Sequence, residues 1–176
     1  MKLTGYAAVF NSLSVDLGGF RELIAPGAFT RTLADRHPIF AVHHHDMADL
    51  LGSTRSGTLK LTEDRTGLYF ELTLPGSSLG RDIHELVQRG DLATMSFSFT
   101  VNGSAGEEWR DAPNGQIERV LRDVSLREIS TVALPAYPST NVAARSAVAV
   151  NPLPTSNSAV RNRMMKRVMA ARLVAA

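Results

Sequence analysis

The chain has 176 residues, 44% hydrophobic and 20% charged, a composition that suits one globular domain built on a single core. No apolar run nears the roughly 18 residues of a membrane span, the first residues lack the apolar stretch of a secretory signal, and the absence of cysteine excludes disulfides, a thiolate nucleophile and cysteine-ligated zinc. The net charge of +2 is unevenly spread. Residues 1–150 carry 14 basic against 17 acidic side chains, whereas residues 151–176 carry five basic and no acidic ones, so the terminal stretch alone makes the protein basic.

In chain order, residues 3–10 read as a strand that stops at Asn11-Ser12, and Phe20-Arg21-Glu22-Leu23-Ile24 reads as a second, closed by Ala25-Pro26-Gly27. Pro26 fits the first turn of a short helix over 28–36, with Phe29 and Leu33 on one face. An apolar strand at 39–42 then delivers the chain into His43-His44-His45-Asp46. Residues 58–62 and 68–74, joined through Asp64 and Gly67, give the clearest hairpin. Ser78 is expected to cap a helix running to about residue 88, with Leu79, Ile83, Leu86 and Val87 as its apolar stripe and Gly90 as its stop.

A strand over 92–101 follows, in which alternation puts Met95, Phe97 and Phe99 on one face and Thr94, Ser96, Ser98 and Thr100 on the other. Residues 102–115 read as a surface loop or long hairpin tip. Residues 117–134 read as two strands or one bent strand, broken near Asp123. Pro135, Pro138 and Ser139-Thr140-Asn141 are expected to end the ordered fold. The organisation predicted is α+β, mostly antiparallel strands with two helices, in a domain over 1–150. A Pro/Ser/Asn-rich linker and a basic helical tail fill 151–176.

Three chemistries are open to these residues. The histidine run and Asp46 invite a metal, but neighbours in an extended segment point to opposite faces, so at most His43 and His45 could converge on one ion. Alternatively, one of the histidines serves Ser96 as general base, because a serine hydroxyl is a poor nucleophile until an imidazole takes its proton. That imidazole needs a third group to orient it. Glu128, within an alternating apolar strand, is the most pointed candidate, with pairing to Arg127 or Arg122 as its structural alternative. Otherwise Ser96 is an ordinary hydroxyl on a solvated strand face.

Five segments together carry a resemblance: Gly5-Tyr6-Ala7-Ala8-Val9-Phe10; Glu22-Leu23-Ile24-Ala25-Pro26-Gly27-Ala28-Phe29; His45-Asp46 with Leu51-Gly52; Met95-Ser96-Phe97-Ser98-Phe99; and Glu128-Ile129-Ser130-Thr131-Val132 with Pro135-Ala136-Tyr137-Pro138. In this order, over residues 3–138, they resemble the prohead proteases of tailed bacteriophages. The resemblance implies a capsid-maturation serine protease with an antiparallel β-barrel core flanked by short helices, similar to the herpesvirus assembly proteases. By position it makes Ser96 the nucleophile, His45 the base and Glu128 the third member, with no cofactor or metal. Two features depart from the pattern: Ser98 stands where glycine is common, and His43 and His44 stand where other types are usual.

The resemblance further implies scaffold and major capsid protein segments as substrates, together with the chain itself, inside the immature head in the host cytoplasm. The basic tail then reads as a docking or self-cleaved extension. Nucleic acid is a lesser partner for it, with affinity falling steeply with salt. The rivals are a non-catalytic assembly or scaffolding protein that keeps the fold, and a metal-dependent hydrolase using the histidine cluster.

Overall fold

The computed structural model describes residues 1–113 and 115–144. The described strands are β1 (Lys2–Val9), β2 (Phe20–Ile24), β3 (Phe40–His43), β4 (Asp46–Ser53), β5 (Leu59–Glu63), β6 (Gly67–Thr73), β7 (Thr94–Val101), β8 (Glu107–Asp111), β9 (Ile117–Leu121), β10 (Val124–Val132) and β11 (Asn141–Ala144); the helices are α1 (Thr30–Ala34) and α2 (Ser78–Arg89). They form three sheets, ordered β11-β1-β6-β5, β4-β3-β10-β7 and β2-β9-β8. The protein is therefore mostly β with few helices. The hydrogen-bonded ladders do not close, so the expected antiparallel barrel is not found among the described residues.

Two pairings depart from the antiparallel expectation: β3 runs parallel to β10, and β2 parallel to β9. Alternation records which face a side chain takes but not the direction of the neighbouring strand. These partners are far apart in sequence, with no tight turn to impose an antiparallel return. The predicted hairpin forms as β5 and β6, its turn held by Asp64, whose carboxylate accepts from the N–H groups of Thr66 and Gly67 at 2.7 and 3.1 Å. Leu59, Leu68, Phe70 and Leu72 on these strands are buried with Leu3, Ile24, Phe29, Ile83 and Ile129 in one core.

Local chemistry moved the helix boundaries. Pro26 and Gly27 occupy a turn rather than a helix: the Ala28 N–H reaches the Ala25 carbonyl at 3.2 Å, and Gly27 has φ +90, the geometry of a type II turn. Helix α1 therefore begins only at Thr30. Helix α2 is capped by Ser77, one residue earlier than expected; its hydroxyl accepts from the Gly80 N–H, and Gly90 at φ 81 ends the helix. Three strands have no counterpart in the sequence reading. Strand β4 is twice bulged and β8 is charged at every position but Trp109, which removes the alternation a strand is recognised by, and β11 pairs with β1 beyond the expected end of the fold. The expected linker and basic tail over 151–176 lie outside the described residues.

A polar network ties the third sheet to the segment after β10. Glu22 on β2 is 3% exposed; Tyr137 donates its hydroxyl to Glu22 Oε1, and Arg119 on β9 reaches Oε2 at 2.9 Å. Arg119 also bonds Glu107 at 2.5 Å and lies over the Trp109 ring. Burial pushes the Glu22 carboxyl above its ordinary value near 4.5, more than Tyr137 and Arg119 draw it down. A carboxyl with a raised folded pKa holds its proton more tightly in the folded chain, so its contribution to stability falls as pH rises from the ordinary value through the raised one. In urea unfolding, the stability of the wild type relative to Glu22→Gln is expected to decrease from pH 4.5 toward neutral. A difference that grows with pH contradicts the burial argument.

Candidate active site

The site is organised by β10, which lies between β3 and β7. In the β7–β10 ladder Ser96 is opposite Ser130, Phe97 opposite Ile129 and Ser98 opposite Glu128. Directly paired residues share a face, so the ladder separates a core face with Phe97 and Ile129 from a polar face with Ser96, Ser98, Glu128 and Ser130. Leu126 belongs to the apolar core although it lies only two residues from Glu128. The register shift between Leu126 and Glu128 explains this. Arg127 is the extra residue of a bulge, and the bulge turns Glu128 onto the polar face that strict alternation would have denied it.

His44 and His45 are the two central residues of the β3–β4 hairpin, between the paired His43 and Asp46, with φ 49 and 63. Positive φ at both positions is the type I′ turn of two-residue hairpins, a geometry usually given to Asn-Gly. Strand β10 holds the turn in place. The His44 N–H donates to the Thr131 carbonyl at 3.1 Å, and the His45 N–H to the Ser130 hydroxyl at 2.8 Å. The assumption that the three histidines continue an extended strand is thereby corrected. His43 bonds the Thr131 hydroxyl at 2.9 Å, the His44 ring packs on His43, and His45 alone turns to Glu128. Burial lowers the pKa of His43 and favours its neutral form.

Nδ1 of His45 lies 2.6 Å from Oε1 of Glu128. The Glu128 side chain is 6% exposed and the imidazole 42%, so a buried carboxyl group contacts a solvent-accessible imidazole. An ionised Glu128 accepts from Nδ1–H and leaves Nε2 with its lone pair free, the tautomer that proton abstraction requires. The second carboxylate oxygen, Oε2, is buried without a hydrogen-bond partner among the described residues. His45, Glu128, Ser98, Phe40, Met47 and Pro38 line part of a groove of about 720 Å³.

The structure thus joins two of the three expected residues directly. Ser96 is buried one ladder pair further along the same face. No hydrogen bond among the described residues joins it to His45, and the link between them runs through Ser130, opposite Ser96 and bonded to the His45 backbone. Ser130 was not anticipated, although the spacing Glu128-Ile129-Ser130 already placed its hydroxyl on the face of Glu128. Ser98, which alternation places on the face of Ser96 and which departs from the family pattern, faces Glu128 and lines the groove. Among the described residues no three His, Asp or Glu side chains converge in a metal-binding group.

The family model of the caudovirus prohead serine proteases matches residues 1–152. The chain belongs to that family. No curated protein matches it. Among solved structures, the crystal structure of KSHV protease in complex with a hexapeptide phosphonate inhibitor is similar at TM-score 0.42 and 11% identity, over 96% of this chain and 76% of that one. Membership makes this a phage prohead serine protease, a capsid-maturation enzyme in general terms, and sets it in the procapsid of an infected cell. No helix among the described residues is long and apolar enough to cross a membrane.

Glu128→Gln keeps a carbonyl for Nδ1–H but removes the charge that stabilises an imidazolium. Peptide hydrolysis is expected to fall by roughly 10²-fold or more, with folding retained, as measured by initial rates and thermal melting. A rate within twofold of wild type contradicts the pairing's role.

Proposed function

We propose that the chain is a serine endopeptidase that cleaves scaffold and major capsid protein segments, and itself, during prohead maturation, with Ser96 as nucleophile, His45 as base and Glu128 as orienting carboxylate. His45 Nε2 takes the Ser96 proton as Oγ bonds to the peptide carbonyl carbon. The same proton passes to the leaving amine as the C–N bond breaks. Water, deprotonated by His45, then attacks the acyl-enzyme and releases Ser96 and the new carboxylate. Glu128 holds the imidazolium at both stages, and backbone N–H groups are assigned the oxyanion.

The observation that carries the reading is the 2.6 Å contact of His45 with Glu128, on the face shared with Ser96, in a chain of the prohead serine protease family. Apo sites often lack the full nucleophile–base hydrogen bond, which tightens when substrate excludes water. The groove beside His45 has room for side chains of an extended peptide. Residues 151–176, with five basic and no acidic side chains, are the segment proposed for removal in cis or trans.

Co-expression with the phage's scaffold and major capsid protein tests the reading. The wild type is expected to shorten both proteins and to lose residues from its own 151–176 segment by mass spectrometry, and His45→Ala to leave all three intact. Equal processing in both cultures assigns cleavage to a host protease and contradicts the proposal.

A further inference from the structure

Two of the sequence motifs, the segment around Glu22 and Pro135-Ala136-Tyr137-Pro138, take no part in the proton transfers, yet they meet at the strand that carries Ser96. Residues 137–140 grip both neighbours of that serine. On one side, the Thr140 hydroxyl accepts from the Met95 N–H at 3.1 Å and donates to the Met95 carbonyl at 2.6 Å. One buried side chain therefore satisfies both backbone groups of Met95 at the outer edge of β7, as a paired strand would. On the other side, the Phe97 ring stacks on Tyr137 with centroids 5.1 Å apart and planes 29° apart. Tyr137 is anchored through its hydroxyl to Glu22, which Arg119 holds at 2.9 Å. The grip is itself closed by the Thr140 N–H on the Tyr137 carbonyl at 3.2 Å.

Backbone groups alternate in direction along a strand, so those of Ser96 point the opposite way from those of Met95, into the β10 ladder. Ser96 is then held from three directions: by β10 at its own backbone, by Thr140 at the preceding residue and by Tyr137 at the following one. We propose that Thr140 and Tyr137 are positioning residues for the Ser96 hydroxyl, with Glu22 as the anchor of Tyr137; the proposal rests on the reading of Ser96 as nucleophile. A contact that served stability alone could fall anywhere along β7. These two fall on the residues adjoining Ser96, where an error near 1 Å in the position of a reacting atom costs about 10²-fold in rate.

Phosphonylation by a fluorophosphonate probe tests this without a known peptide substrate. Thr140→Val keeps the shape, removes the hydroxyl and leaves both backbone groups of Met95 unpaired. Measured well below each variant's Tm, its kinact is expected to fall about tenfold, a fraction of the loss for full misplacement. KI and the pH midpoint of labelling are expected to stay unchanged, because the probe groove and the His45–Glu128 pair are untouched. Thr140→Ser, which restores the hydroxyl, is expected to label within about twofold of wild type. Folded Thr140→Val with wild-type kinact overturns the proposal and leaves the nucleophile standing, provided the wild-type adduct maps to Ser96. An adduct on any other residue overturns both. Should Thr140→Val fail to fold, Tyr137→Phe, which keeps the ring on Phe97 but cuts its tie to Glu22, carries the test: a several-fold drop in kinact supports positioning, and an undiminished rate overturns it.

Discussion

The contact on which the site depends is the one between a hairpin tip and the middle of a strand: His45 Nδ1 to Glu128 Oε1 at 2.6 Å. Its value is not stability. A pair with one partner 42% exposed contributes at most about 1 kcal/mol, and the turn that presents His45 holds two non-glycine residues at positive φ, a geometry that costs of order 1 kcal/mol each. Two hydrogen bonds from the turn to β10, each worth about 1 kcal/mol net, offset that strain. The balance is close to zero, which suits a device whose purpose is to aim one imidazole.

That aim requires β10 to present residues to both of its faces at the right places. Ile129 and Leu126 must enter the core while Glu128 and Ser130 stay on the polar face, and no regular strand can place Leu126 and Glu128 on opposite faces. The bulge at Arg127 resolves the conflict. Parallel pairing with β3 then brings the hairpin tip alongside Ser130 and Thr131, so the strand that carries Glu128 also holds the backbone of His45. Strand β7 completes the arrangement from the other side, braced on its core face by Tyr137 and at its edge by Thr140.

Much of this was legible in the residues. Alternation in Met95-Ser96-Phe97-Ser98-Phe99 gave the two faces of β7 as observed. The Asp64 and Gly67 signals gave the hairpin, and Gly90 gave the end of α2. Sequence could not show strand partners or their direction, so a mostly antiparallel expectation did not single out the parallel β3–β10 and β2–β9 pairs. It also could not show that His44 and His45 turn rather than extend, because a His-His type I′ turn lacks the usual Asn-Gly signature and is held by contacts 85 residues away, such as His45 to Ser130. The polar network of Glu22, Arg119 and Tyr137 was equally hidden: its members lie on three separate segments that only the folded sheets bring together.

In the proposed mechanism Ser96 and His45 act as a single unit, the one useless without the other. The most direct measurement is a double-substitution cycle on peptide hydrolysis: Ser96→Ala, His45→Ala and both together, each checked for folding. The account predicts that either single substitution removes nearly all activity and that the double variant is no slower than Ser96→Ala alone. Losses that multiply in the double variant, or a Ser96→Ala enzyme that retains wild-type hydrolysis, would contradict it.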